Sequence, residues 1–322
     1  MTPPKAQRPT VLARPAAFLV TGPAGAWVWE TGHGFVKVVR PFAALLDGLH
    51  FELQRDGRAL RYRSNGLPGT LSQRWVLNLM TGEETEETPL PLHEEVFLGP
   101  GDRACFVEMT DVVATQFTRS TYRISLPNPE ESIAPDPVPI VPEDGLYRLP
   151  TTFLRGSNWS GRPVQFSPSG TQLAINFQWW GNPVPAVDII NFDGSWGRRR
   201  YGFEITSSAS WNASGSHLLG VHVNVGQVVD FTVTVLDVEK NKIVASLKYP
   251  ADLDWVPLGW AGNSEVLCYK LEGRAMRLAA TDVFSTHEEE VATIKLPFAG
   301  QDLGTIELAS DVALEGLDSF RI

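Results

Sequence analysis

An all-β chain folded as a β-propeller is the class this sequence predicts, and three observations carry the prediction. A hairpin phrase recurs along the 322 residues: an apolar strand, a turn holding Gly, Asp or Asn, then a second, more apolar strand. Its copies are spaced as four-stranded propeller blades require. A third, alternating strand follows most copies, and a shorter polar fourth follows several.

The phrase occupies residues 18–30, 50–64, 95–109, 164–178, 210–223 and 258–271, with a weaker seventh copy at 306–318. Its turn chemistry has a cause. Short hairpins often need a residue at φ > 0, which Gly, Asn and Asp tolerate best. The flanking strands are rich in β-branched and aromatic residues, which suit a pleated surface. Third strands are read at 74–79, 120–126, 187–192, 231–238 and 277–284. Fourth strands follow in TGEETEETPLPL, DVEKNKIVASLKY and STHEEEVATIKLP.

Spacing supports the repeat. Gly57 to Asp102 and Gly170 to Gly215 each span 45 residues, and Gly215 to Ser264 spans 49. Gly25 to Gly57 spans only 32, so one blade is short of a strand. Gly101 to Gly170 spans 69 and contains residues 127–145, a Pro-rich acidic stretch read as an extended insertion between blades. The expected architecture is one domain over residues 1–322, with seven four-stranded blades, or six as the alternative. N-terminal strand residues around 11–20 would complete the last, partial blade and remove its open edge. The competing division is two β-domains, 1–130 and 150–322.

The phrase FSPSGTQLAINF at residues 166–177 resembles the repeat hairpin of TolB-like propellers. Residues 50–63, 96–107 and 211–221 echo it. The Gly-His and Trp-Asp dipeptides of WD repeats do not fall at their blade positions, so the chain is similar to a TolB-like or degenerate WD-type propeller. The resemblance implies a fold and no function.

Composition narrows the function classes. With 27 Lys+Arg against 37 Asp+Glu the net charge is −10, which disfavours a nucleic-acid partner because phosphate binding needs a positive field. Cys105 and Cys268 lie far apart with no metal-ligand spacing, and read as two buried thiols. The N-terminal apolar run at 15–20 is shorter than a signal h-region, and no stretch reaches the length of a membrane span. A soluble cytoplasmic protein is expected.

Catalytic signatures are scarce. There is no GxSxG, HExxH, GxGxxG or Walker motif, and Ser214-Gly215-Ser216-His217 reads as the turn of its own repeat. His217 and His222 should face opposite sides of one strand. Lactonase-type propellers bind calcium through channel-facing acidic and Asn residues; Asp230, Asp252 and Asp254 are the candidates here, but solvated loops are the plainer reading. No cofactor, metal or catalytic residue is assigned. The expected binding residues are Trp179, Trp180, Asn182 and His33 on the face of the second-to-third strand connections. Trp196, Arg198, Arg199 and Arg200 form the basic exception at a third-to-fourth turn. Paired Trp side chains offer large contact area at low entropic cost, so a protein, a peptide or a carbohydrate would suit them. Glu83, Glu84, Glu86, Glu87, Glu130, Glu131 and Glu288 to Glu290 are expected in outer turns as a solvated acidic rim. The first function expected is a non-catalytic protein- or peptide-binding scaffold. A metal-dependent hydrolase or lactonase and a carbohydrate-binding propeller are the alternatives.

Overall fold

The computed structural model describes residues 8–39, 49–64, 71–91, 94–98, 100, 104–113, 119–126, 138–139, 164–178, 185–191, 198–203, 205, 209–225, 229–249, 255–285 and 287–309. Within them the chain is an all-β propeller of antiparallel sheets. Sheet A begins with β1 (Ala16–Gly22), β2 (Gly25–Glu30) and β3 (Gly34–Lys37). Sheet B holds β4 (Leu49–Leu53), β5 (Ala59–Ser64), β6 (Leu71–Asn78) and β7 (Glu84–Pro91). Sheet C holds β8 (Glu94–Leu98), β9 (Ala104–Val113), β10 (Arg119–Leu126) and β11 (Val138–Pro139). Sheet D holds β12 (Val164–Phe166), β13 (Gln172–Gln178), β14 (Pro185–Asn191) and β15 (Arg198–Tyr201). Sheet E holds β16 (His217–Val225), β17 (Val229–Asp237) and β18 (Lys242–Tyr249). Sheet F holds β19 (Val256–Ala261), β20 (Glu265–Glu272), β21 (Ala275–Asp282) and β22 (Glu288–Lys295). A last strand, β23 (Ile306–Leu308), returns to sheet A, whose order is β23-β1-β2-β3.

That return joins the two chain ends in one sheet, as expected, and places copies one and seven of the phrase in that same sheet. Copies one and seven of the phrase are not two blades. Ile306, Glu307 and Leu308 pair antiparallel with Val20, Leu19 and Phe18, so the C-terminal copy supplies the inner strand of the N-terminal blade. Six sheets stand among the described residues. The 32-residue interval from Gly25 to Gly57 has the same origin, since the N-terminal blade borrows its first strand. In the Pro-rich stretch, Val138 and Pro139 pair with Leu126 and Ser125 as the edge of sheet C.

Sheets pack face against face, so their strands are buried on both sides. In β1, Ala17, Phe18 and Val20 join a core with Leu258, Leu278 and Leu296 of the sheet F region. Ala16 and Leu19 join another core with Leu53, Leu60 and Leu77 of sheet B. A third core lies between sheets E and F around Trp260 and Val233, and a fourth between D and E around Trp211 and Ile189. Burying one such Val, Leu or Ile contributes about 1.5–3 kcal/mol, which is why these strands read as nearly continuous apolar runs.

Outer strands differ in kind. β7 carries Glu84, Glu86 and Glu87, β22 carries Glu288 to Glu290, and β15 carries Arg198 to Arg200. These clusters lie in the edge strands themselves, not in the turns where the sequence suggested them. Charge on an edge strand discourages pairing with another chain, and a polar edge strand has no apolar face to mark it as a strand. Bulges reinforce the effect at the two acidic edges: the ladders of β6 with β7 and of β21 with β22 each slip register once.

Candidate functional site

The first turn of sheet E, residues 211–217, is built around Asn212. This side chain is 1% exposed. Its Oδ1 accepts from the His217 amide at 3.0 Å, and its Nδ2 donates to Ser216 Oγ at 3.3 Å and to the Asn263 carbonyl at 3.4 Å. Gly215 has φ +74, the left-handed conformation this turn needs. The Ala213 amide donates to the Gly262 carbonyl at 3.0 Å, and the Ser214 amide to Asn263 Oδ1 at 2.9 Å. The turn of sheet E is thereby fastened to the turn of sheet F.

His217 opens β16 beside this clip. Its Nδ1 lies 2.8 Å from Ser216 Oγ, and its Nε2 lies 4.0 Å from Asp237 Oδ2. Asp237 is itself held by Lys240, whose Nζ donates at 2.7 Å and whose amide donates at 2.9 Å. The ammonium bond, then the amide bond, hold the Asp237 carboxyl below its ordinary value, and the same ion pair raises the Lys240 ammonium. The His217 ring meets Phe284 edge-on at 5.5 Å and lies 6.3 Å from the Trp260 ring.

Ser216, His217 and Asp237 fall in the order of nucleophile, base and orienting acid. Their bonds argue for another role. Ser216 Oγ is already bonded to Ser214 Oγ at 2.7 Å as well as to Asn212 and His217. The turn amides that would stabilise an oxyanion are spent, with Gly215 N–H on the Asn212 carbonyl and Ser214 N–H on Asn263. The cluster is an inter-blade clip.

What the clip displays is apolar. Among the described residues the exposed large hydrophobics are Val11, Ile243, Val244 and Phe284, at 57%, 53%, 38% and 55% exposure. Three of these four lie at the two ends of one cross-strand row of sheet E. Phe284 touches His217, His217 faces Asp237 across the ladder, Asp237 faces Lys242, and Ile243 and Val244 come next. Tyr201 of β15 reaches the same turn, its hydroxyl donating to Asn241 Oδ1.

The residues singled out from sequence are not brought together here. Trp179, Trp180, Asn182 and Trp196 lie outside the described residues, as do Asp252 and Asp254. His33 is exposed in the turn between β2 and β3. Because β23 is the inner strand of sheet A, this is a third-to-fourth turn, so His33 does not share the face of second-to-third connections. Arg198, Arg199 and Arg200 form β15, and Arg199 is committed inward, its Nη1 donating to the Val238 carbonyl at 2.5 Å. His217 and His222 pair with Asp237 and Thr232. Cys268 is buried, and burial pushes its thiol up to about 12. Among the described residues no group of three or more His, Cys, Asp and Glu is placed to hold a metal, and no helix is long and apolar enough to cross a membrane. Sequence reasoning missed Phe284, Ile243 and Val244. Their only signal is that they flank polar turns while facing no repeat position.

No known family model matches the chain, and none of the curated protein sequences does. Similar solved structures do exist. An oligogalacturonate lyase in complex with manganese is 14% identical, with a TM-score of 0.51 over 88% of this chain and 77% of that one. A candidate 6-phosphogluconolactonase from Bacteroides uniformis is 11% identical, with a TM-score of 0.50 over 91% of this chain and 98% of that one. Porphyromonas gingivalis dipeptidyl peptidase 4 is 14% identical, with a TM-score of 0.48 over 81% of this chain and 42% of that one. At these identities the likeness is one of fold: the chain is a β-propeller similar in architecture to the first two of these proteins.

Proposed function

We propose that this chain is a non-catalytic propeller scaffold that binds a protein or peptide partner, and that its ring has six blades with sheet A as the closing one. One observation supports the binding role above the rest: Ile243 and Val244 are exposed side by side on β18, and Phe284 is exposed against His217 at the other end of the His217–Asp237–Lys242 row. Single exposed apolar residues are ordinary, whereas a shared patch beside satisfied polar groups marks an interaction surface. The clip beneath it holds the patch rigid, which lowers the entropic cost of binding. The test is selection of a random peptide library on the purified full chain. Enriched peptides that bind the wild type and bind the Phe284→Ser variant at least tenfold more weakly support the reading. No enrichment, or enriched peptides indifferent to Phe284, overturn it.

A further inference from the structure

We propose that the free edge of β18 takes up an extended acidic peptide as an added strand, an inference that rests on the scaffold reading above. Sheet E runs β16-β17-β18, so β18 is its outer edge among the described residues. Such an edge offers alternate unpaired N–H and C=O groups to an incoming strand.

The outer strands β7, β15 and β22 carry carboxylates or guanidinium groups along their length. β18 instead reads KIVASLKY, exposes Ile243 and Val244, and buries only Leu247 and Tyr249. Its bulge has a consequence for docking. Ile243 pairs with Leu236 and Ala245 with Val235, which leaves Val244 without a ladder partner. The run from Ala245 to Tyr249 stays in regular register, long enough for an added strand. Ile243 and Val244 then form an apolar seat at the end of that run.

Charge selects the occupant. Lys242 and Lys248 are both exposed and bracket the apolar pair, whereas Lys240 is engaged by Asp237. Six residues of strand separate the two free ammonium groups by about 20 Å. The matching ligand is an extended segment with carboxylates six residues apart and β-branched residues between them. A second copy fits less well, because its own β18 would bring Lys242 and Lys248 against the same ammonium groups, and like charges across a ladder weaken pairing.

The probe is a fluorescein-labelled peptide, Glu-Val-Thr-Ile-Thr-Val-Glu, titrated with the full chain and read by anisotropy. A second probe has the same sequence with alternate backbone nitrogens methylated, which removes strand pairing and keeps charge. The expected result is saturable binding that weakens at least tenfold for the methylated probe. The Ile243→Glu/Val244→Glu double variant and Lys248→Glu should each weaken it at least tenfold. Lack of binding, or equal binding of the methylated probe, overturns the edge-pairing inference. Binding that ignores the β18 variants also overturns it, and leaves the scaffold reading standing on a different surface. Concentration-dependent dimers that the same variants dissolve would make a second copy the occupant and overturn the peptide. Failure of the scaffold reading shows separately, as a library selection that yields nothing.

Discussion

Sheet A and sheet E solve the same problem with different materials. Sheet A is assembled from both ends of the chain, and its seam is fixed by polar groups. The Thr21 amide donates to the Thr305 carbonyl, 284 residues away, the Thr305 amide donates to Thr21 Oγ1, and the two hydroxyls lie 2.8 Å from each other. Glu307 is 4% exposed on the inner strand and accepts the Leu53 amide of sheet B at 2.6 Å. Glu30 Oε1 accepts the amides of Ala13 and Arg14, which ties down the N-terminal segment. Sheet E comes from one continuous run, and local turns set its register. Its polar groups are free to form the clip, and its edge is left apolar. Closure consumes specificity at the seam, while the continuous blade has surface to spare for a partner.

The largest effect should come from breaking the seam at Gly57. This residue has φ +64, and an added Cβ would stand 2.0 Å from the Ala16 carbonyl oxygen, a backbone atom of β1. Gly57→Ala should therefore cost about 3 kcal/mol by urea denaturation, through overpacking and a disfavoured backbone conformation. An unchanged midpoint would show that sheets A and B do not meet there.

Glu307→Ala comes next. It removes a buried charged acceptor and strands the Leu53 amide, at a cost of about 2–3 kcal/mol. Glu307→Gln keeps an acceptor and should lose less. Equal losses for the two variants would mean that the carboxylate charge, and not a neutral acceptor, holds the seam.

How much of this contrast the sequence shows depends on the element. The turns are legible because their chemistry is local: Gly57, Gly170 and Gly215 all sit at positive φ. The third strands at β6, β10, β14, β17 and β21 are legible because alternation survives burial. Closure is legible in outline but not in phase. A Gly-bearing hairpin looks the same whether it joins strands one and two or strands two and three, so the N-terminal blade reads as a full copy. Of the edge strands, β7 and β22 are legible as fourth strands but start too late, and β15 is misread as a turn, since charge hides the β pattern. The exposed row is illegible, because Phe284 meets His217 only through the packing of two blades.

Smaller effects follow in sheet E. Asn212→Ala should cost about 1–2 kcal/mol, since the His217 amide loses its acceptor in a turn with little water. A loss confined to a few tenths of a kcal/mol would show that the backbone alone holds the clip. Lys240→Ala should act through pH. The folded Asp237 carboxyl titrates below its unfolded value, so its stabilisation is present above about pH 4 and is lost as pH falls through the folded value. The stability gap between wild type and Lys240→Ala should be flat from pH 7 to pH 5 and close below about pH 4. A gap that persists at pH 2 would assign the effect to packing of the lysine stem.

Phe284→Ser should change stability least, within about 0.5 kcal/mol, because the ring is 55% exposed and meets His217 only at its edge. The contrast with Gly57 is the point. Both positions belong to hairpin turns within a sheet, β4–β5 and β21–β22, but one turn abuts the backbone of a neighbouring sheet and the other faces water. Were Phe284 a structural cap over His217, its removal would lower the melting temperature and leave peptide capture intact. A docking residue gives the opposite pattern, with unchanged melting and lost capture. Phe284→Leu adds a check, since it restores apolar area without the ring: recovery of capture would assign the effect to burial, and continued loss to the aromatic face.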